Sequence, residues 1–144
     1  MQKTDALCDL ELMKTAEEAM KKAYVPYSEF KVGAALIAAD DSGAERVFQG
    51  CNIENSSYSP TMCAERVAAA EAVKNGYRRF LKIAICGGKE GIISDFCPPC
   101  GVCRQVLCEF GDDDAIVLLS DGKVIESFTF GEILPLSFRK DKLL

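Results

Sequence analysis

Two short segments carry the chemistry of this chain: Cys63-Ala64-Glu65, and further along Pro99-Cys100-Gly101-Val102-Cys103. Together they offer three thiolates and one free carboxylate. Three protein ligands leave a catalytic zinc one open position for water. A carboxylate two residues from a ligand is placed to handle the proton of that water. The chain contains no histidine. Ser-His-Asp and Cys-His catalysis, histidine-ligated metals and imidazole bases are therefore all excluded. Proton chemistry falls to carboxylate, thiolate or metal-bound water.

The elements that must position these groups follow from the pattern of apolar residues. Apolar groups between Asp9 and Tyr24 recur at helical spacing, and Pro26 closes that stretch. Val32 to Ala39 reads as a buried strand, Asp40-Asp41-Ser42-Gly43 as a turn, and Val47 to Ile53 as a second strand. Cys63 to Lys74 is an alanine-rich helix with Asn75-Gly76 as a left-handed cap. Leu81 to Cys86 is a third strand. Gly101 to Phe110 is a helix with Val102, Val106 and Phe110 on one face, stopped by Gly111. Ile116 to Leu119 is a fourth strand, and Asp121-Gly122 turns it into a fifth, Val124 to Phe130. Helices alternating with buried strands predict an α/β fold. It is a three-layer α/β/α sandwich around a mixed five-stranded sheet, with the last two strands antiparallel. The whole chain, 1–144, reads as a single catalytic domain, since 144 residues suffice for one core and no linker or repeat divides them.

Both thiolate segments fall at the starts of helices. Helix N-termini carry partial positive charge and free N–H groups, which favour the anionic sulfur that zinc needs. Three thiolates and Zn²⁺ sum to one negative charge. Arg66 could offset it by hydrogen bonding to the sulfurs. Other readings stay open on the residues alone. A lone Cys100-x-x-Cys103 is equally a redox motif or a pair of core cysteines. Cys97-Pro98-Pro99-Cys100 has the same spacing, so Cys63, Cys97, Cys100 and Cys103 would make a closed structural zinc site. The cysteines at 8, 51, 86 and 108 lie in apolar contexts and read as core.

Composition narrows the partners. Net charge is −5, from 17 basic and 22 acidic residues. An acidic surface repels phosphate backbones, so nucleic acid is not expected as substrate. The longest apolar run, Val32 to Ala39, is too short to span a bilayer. With no basic-then-apolar leader, the expectation is a cytoplasmic protein with reduced thiols.

Further segments match one family in order and type: Tyr27-Ser28-Glu29-Phe30-Lys31-Val32-Gly33-Ala34-Ala35-Leu36, Gly50-Cys51-Asn52-Ile53-Glu54-Asn55 with Tyr58, Cys103-Arg104-Gln105-Val106, and Leu134-Pro135-Leu136-Ser137-Phe138. From about residue 15 to residue 138 the chain resembles the small, three-cysteine cytidine deaminases, whose zinc signature is a His or Cys, a Glu and a later Cys pair. The first ligand here is Cys, as in the short tetrameric class. The resemblance implies zinc held by Cys63, Cys100 and Cys103, with Glu65 as the proton shuttle. Asn52 and Glu54 would bind the ribose hydroxyls, and Phe30 would pack on the pyrimidine. The Ala64 N–H would bind the base carbonyl, and the Pro98 carbonyl would face the leaving amine. Arg66 and Gln105 would support the thiolates. Tyr58 and Phe138 would reach active sites across subunit boundaries in a homotetramer. At Pro98 relatives often carry Ser; proline keeps the carbonyl but removes a hydroxyl and an N–H. Taken singly, Phe30 and Phe138 are ordinary aromatics, Asn52 a turn former and Glu54 a surface charge.

The implied reaction is hydrolytic deamination of cytidine and deoxycytidine, one zinc per chain, in pyrimidine salvage. The rivals are deamination of a related aminopyrimidine, such as a cytosine-based antibiotic, and a non-catalytic zinc-stabilised binding protein.

Overall fold

In a computed structural model, which describes residues 8–144, five strands form one sheet. The elements are α1 (Asp9–Met20), β1 (Phe30–Ala39), β2 (Glu45–Cys51), α2 (Ala64–Lys74), β3 (Arg79–Lys89), α3 (Gly101–Phe110), β4 (Gly111–Ser120), β5 (Ile125–Thr129) and a short α4 (Phe130–Ile133). The strand order is β2-β1-β3-β4-β5. Only β3 and β4 run parallel, joined by the α3 crossover; the other neighbours are antiparallel. The mixed sheet with an antiparallel last pair is the one expected.

Alternation along the central strands builds two cores. Ala34, Leu36 and Ala38 of β1, Ile83 and Ile85 of β3, and Val117 and Leu119 of β4 face one side, under α2 and α3. Ala35 and Ile37, Ala84 and Cys86, and Leu118 face the other, where Leu12, Met13, Ala16 and Met20 of α1 cover them. Strands buried on both faces need unbroken apolar runs, which is why these segments do not alternate in sequence.

Two glycines let helices lie directly on the sheet. A Cβ on Gly33 would sit 2.0 Å from the Ala16 carbonyl oxygen of α1, and one on Gly50 would sit 2.2 Å from the Ala64 carbonyl oxygen of α2. The buried face of α2 is alanine for the same reason: Ala64, Ala68, Ala69 and Ala72 permit close approach. The end of α2 is a left-handed cap as predicted. Gly76 has φ +88°, with Tyr77 N–H on the Ala72 carbonyl and Gly76 N–H on the Val73 carbonyl.

Four expectations are corrected. Helix α1 stops at Met20, not near Tyr24. The Tyr24 backbone is used instead to pair with the loop after β2: its N–H donates to the Asn52 carbonyl and its carbonyl accepts from Glu54 N–H. The buried stripe of α3 is Cys103, Leu107 and Cys108, while Val102 is exposed. Of the expected face, Val106 and Phe110 are partly buried against the same core and only Val102 leaves it, with Cys103 turned inward. The last strand ends at Thr129, because Thr129 and Glu132 form a capping box that opens α4. Cys8 is exposed at the start of α1, its thiol donating to Glu11, and is not core.

Candidate metal centre and active site

Cys63 and Cys100 are the N-cap residues of α2 and α3, and Cys103 lies in the first turn of α3. Neither N-cap thiol caps its own helix with a side-chain hydrogen bond. The three sulfurs turn toward one another instead. Cys63 Sγ lies 3.9 Å from Cys100 Sγ, and Cys100 Sγ lies 3.5 Å from Cys103 Sγ. All three are within 4.8 Å of one another. Two sulfurs bound to zinc at about 2.3 Å with tetrahedral angles stand about 3.8 Å apart. A disulfide requires about 2 Å. The spacing therefore fits zinc and rules out a disulfide. Cys97 falls outside the group. It packs against β3, where a Cβ on Gly87 would meet its sulfur at 3.1 Å. Burial, then the Glu65 and Cys63 charges, pushes its thiol up to about 11. Of the two ligand sets, the open three-cysteine site is the one formed.

The thiols share protons unequally. Hydrogen bonding with Cys103, and then with the Arg66 guanidinium, draws the Cys63 thiol well below its ordinary value. Cys103 moves the opposite way, through the same bond to Cys63, burial and the Glu65 charge. A divalent cation held by these residues would take all three sulfurs as thiolates. Arg66 Nη2 donates to Cys63 Sγ at 3.5 Å and to the Thr61 carbonyl at 3.3 Å. Its Nε is buried with no partner. The guanidinium thus lies against one sulfur of the group.

Glu65 follows Cys63 by two positions on the first turn of α2 and is only 4% exposed. Burial raises its carboxyl to about 7, with the Cys63 charge acting in the same direction. A group of that pKa both takes and gives a proton near neutral pH. Ala64, the first residue of α2, is fully buried. An N–H in the first helical turn has no acceptor within its own helix and is available to a ligand oxygen.

The other candidates fall in two groups. Asn52 is buried, and its amide braces the start of β1: Oδ1 accepts from Val32 N–H at 2.9 Å and Nδ2 donates to the Phe30 carbonyl at 2.8 Å. Glu54 Oε1 accepts from Tyr27 N–H and Ser28 N–H, and its Oε2 accepts from the Ser28 hydroxyl. Ser28, Tyr27, Tyr58, Thr61 and Glu54 line a cavity of about 390 Å³. The Tyr27 and Tyr58 rings meet edge to face, 6.2 Å between centroids. Phe30 is partly exposed, Tyr58 is exposed with φ +62°, and Pro98 is exposed in the loop before Cys100.

The second group is the C-terminal segment. Gln105 Nε2 donates to the Phe138 carbonyl at 2.8 Å, not to a thiolate. Arg104 donates to the Pro99 carbonyl from Nε and to the Ile133 carbonyl from Nη1. Arg139 donates to the Cys108 and Gly111 carbonyls and to Asp113. The segment is thereby clasped to the helix that carries two ligands, leaving Leu136 and Phe138 exposed. Arg104, Arg139 and Ser28 escaped the sequence reading as functional positions, although Ser28 and Arg104 stood inside the matched segments.

This geometry coincides with what the chain is similar to. Residues 7–119 match the model described as "Cytidine and deoxycytidylate deaminase zinc-binding region". The chain belongs to that family. It is 45% identical over 133 residues to a cytidine deaminase of Sporosarcina psychrophila, covering 92% of each chain. It superposes on the crystal structure of cytidine deaminase from Burkholderia pseudomallei with a TM-score of 0.80 and 40% identity, over 91% of this chain and 99% of that one. A blasticidin-S deaminase of Bacillus cereus is 27% identical over 137 residues, 92% of this chain and 94% of that one. No helix among the described residues is long and apolar enough to cross a membrane.

Proposed function

We propose that this chain is a zinc-dependent cytidine deaminase. It converts cytidine and deoxycytidine to uridine and deoxyuridine, releases ammonia and serves pyrimidine salvage. The observation that carries the reading is the buried Glu65 carboxyl on the helical turn that Cys63 opens, Cys63 being one of three sulfurs grouped at zinc spacing. Cys63, Cys100 and Cys103 hold the metal, which when bound polarises the attacking water and lowers its pKa toward neutrality. Glu65 takes the proton of that water and delivers it to ring N3 as the oxygen adds to C4. It then takes the remaining proton from the hydroxyl on C4 and passes it to the amine, so that the C4 carbonyl forms as the C–N bond breaks and ammonia leaves. One carboxyl acts first as base and then as acid, which its pKa of about 7 suits. The Ala64 N–H holds the base carbonyl and the Pro98 carbonyl faces the leaving amine. Glu54 and Asn52 take the ribose hydroxyls. Phe30 packs on the pyrimidine. Arg66 steadies Cys63, and Gln105 holds the C-terminal segment to α3.

The catalytic unit is a homotetramer in the cytoplasm. Tyr58, Leu136 and Phe138 are all more than half exposed in the isolated chain, which supports their use against another subunit. An acidic chain of net charge −5 favours a free nucleoside over nucleic acid. The similarity to a blasticidin-S deaminase gives the antibiotic reading its one specific support. The Glu54 carboxylate, which lines a cavity of about 390 Å³, favours a ribose instead. Ammonia release measured with cytidine, deoxycytidine, cytosine, CMP and blasticidin S tests the reading. Turnover of the two nucleosides is expected. Release from the antibiotic alone would transfer the chain to that branch, and no release from a zinc-loaded protein would leave a binding protein.

A further inference from the structure

The turn between α1 and β1 holds an arrangement that the reaction scheme does not use. Glu54 Oε1 accepts two backbone hydrogen bonds, from Tyr27 at 3.0 Å and Ser28 at 3.1 Å. A carboxylate oxygen has about two lone-pair sites, so Oε1 is full. Oε2 accepts the Ser28 hydroxyl proton and retains one site. The same hydroxyl accepts from Phe30 N–H at 3.0 Å. Ser28 therefore joins two features of the site, the Glu54 carboxylate and the backbone of Phe30, and it decides which lone pair of Glu54 stays free. Ser28 and Glu54 both line the cavity of about 390 Å³. The Ser28 hydroxyl is the first of the interactions that hold the Glu54 carboxyl below its ordinary value. The geometry thus leaves one lone pair of Oε2 to accept a hydrogen bond from a hydroxyl.

We infer that Ser28 is a positioning residue for the sugar: its hydroxyl aims the remaining lone pair of Glu54 at a ribose hydroxyl and makes the site select nucleosides that carry one. The inference rests on the reading of Glu54 as the ribose acceptor. Without the hydroxyl, Glu54 keeps its charge and its backbone bonds but loses the constraint on Oε2. Phe30 N–H loses its acceptor as well.

The test compares cytidine with 2′,3′-dideoxycytidine in the zinc-loaded wild type, Ser28→Ala and Ser28→Thr. A hydrogen bond to a charged group is worth enough that its loss should lower kcat/KM for cytidine in Ser28→Ala by about tenfold or more. The loss should appear as raised KM, with kcat within about twofold, since uniform binding rather than the chemical step is affected. For dideoxycytidine, which offers Glu54 no hydroxyl, the same substitution should change kcat/KM by less than about twofold. Ser28→Thr, which keeps the hydroxyl, should restore cytidine KM. Zinc content and thermal midpoint establish that each variant folds. Equal losses on both nucleosides would show a merely structural role and overturn the inference, as would an unchanged KM for cytidine in Ser28→Ala. If the wild type turns over cytidine but does not prefer it to dideoxycytidine, Glu54 is not the ribose acceptor and the inference falls while the deaminase reading stands. If the wild type turns over neither, the deaminase reading itself fails.

Discussion

Replacing Glu65 by Gln should inactivate the protein and, once the metal is removed, stabilise its fold in a pH-dependent way. The carboxyl is 4% exposed, and burial raises its pKa from 4.5 to about 7. The folded chain therefore holds the Glu65 proton more tightly than the unfolded chain does. For a raised carboxyl the destabilisation is absent below pH 4.5, grows as pH rises, and is complete above pH 7. At about 1.4 kcal/mol per pKa unit, the cost is about 1 kcal/mol at pH 5 and about 3 kcal/mol at pH 8. A glutamine does not titrate, and its own packing terms cancel when the two pH values are compared. The stability advantage of Glu65→Gln over wild type should thus grow by about 2.5 kcal/mol from pH 5 to pH 8. For a chain of this size that is a relative shift in thermal midpoint of about 5–10 °C. The assay is chemical and thermal unfolding of chelator-treated proteins at one fixed chain concentration, because subunit association also moves the midpoint. In the zinc-loaded forms the same substitution should lower kcat by about 10²–10⁴-fold. A stability difference independent of pH would refute the buried, poised carboxyl. So would a Glu65→Gln protein with zinc bound and near-normal turnover.

Three further outcomes are expected. Cys97→Ser should keep one zinc per chain and most activity, whereas Cys100→Ser should lose the metal, as measured by metal analysis after dialysis; loss of zinc from Cys97→Ser would restore the closed-site reading. Phe138→Ala should raise KM for cytidine by the equivalent of about 1–3 kcal/mol with little change in zinc content, by analogy with aromatic stacking on bases, and an unchanged KM would remove Phe138 from the site. Gly50→Ala should destabilise the fold by about 1–3 kcal/mol or more and weaken zinc retention, because its Cβ would meet the Ala64 carbonyl at 2.2 Å and push α2, with Cys63 at its start, away from β2; unfolding and metal-retention curves identical to wild type would show that α2 is not seated through this glycine.

The parts of the molecule legible in the sequence are those where one local rule decides. The helix starts at Cys63 and Cys100, the Asn75-Gly76 cap and the Asp121-Gly122 turn are short-range features, and each appears where its residues stand. The buried strands β1, β3 and β4 were visible as apolar runs, because each is covered on both faces. What escaped depends on partners distant in the chain. Met20 ends α1 because the Tyr24 backbone is taken up by residues 52–54. The buried face of α3 keeps Val106 but takes Cys103 in and leaves Val102 out, which the apolar spacing alone does not report. Gln105 reaches Phe138, and Arg139 reaches back to Cys108, each across about thirty residues of sequence, pairings no periodicity reports. The start of α4 was readable after all, since Thr129 and Glu132 have the capping-box spacing. At the site, the three cysteines that the fold brings together were legible from type and spacing. The support of Glu54 by Ser28 was not, because it joins a turn before β1 to a loop after β2.

The most direct test of the central claim is zinc titration of the chelator-treated protein, followed by formation of uridine and ammonia from cytidine. Activity should be absent without metal and rise linearly with added zinc. It should saturate at one zinc per chain, with uridine and ammonia formed in equal amounts. A protein that binds one zinc per chain and yet forms neither product would contradict the account.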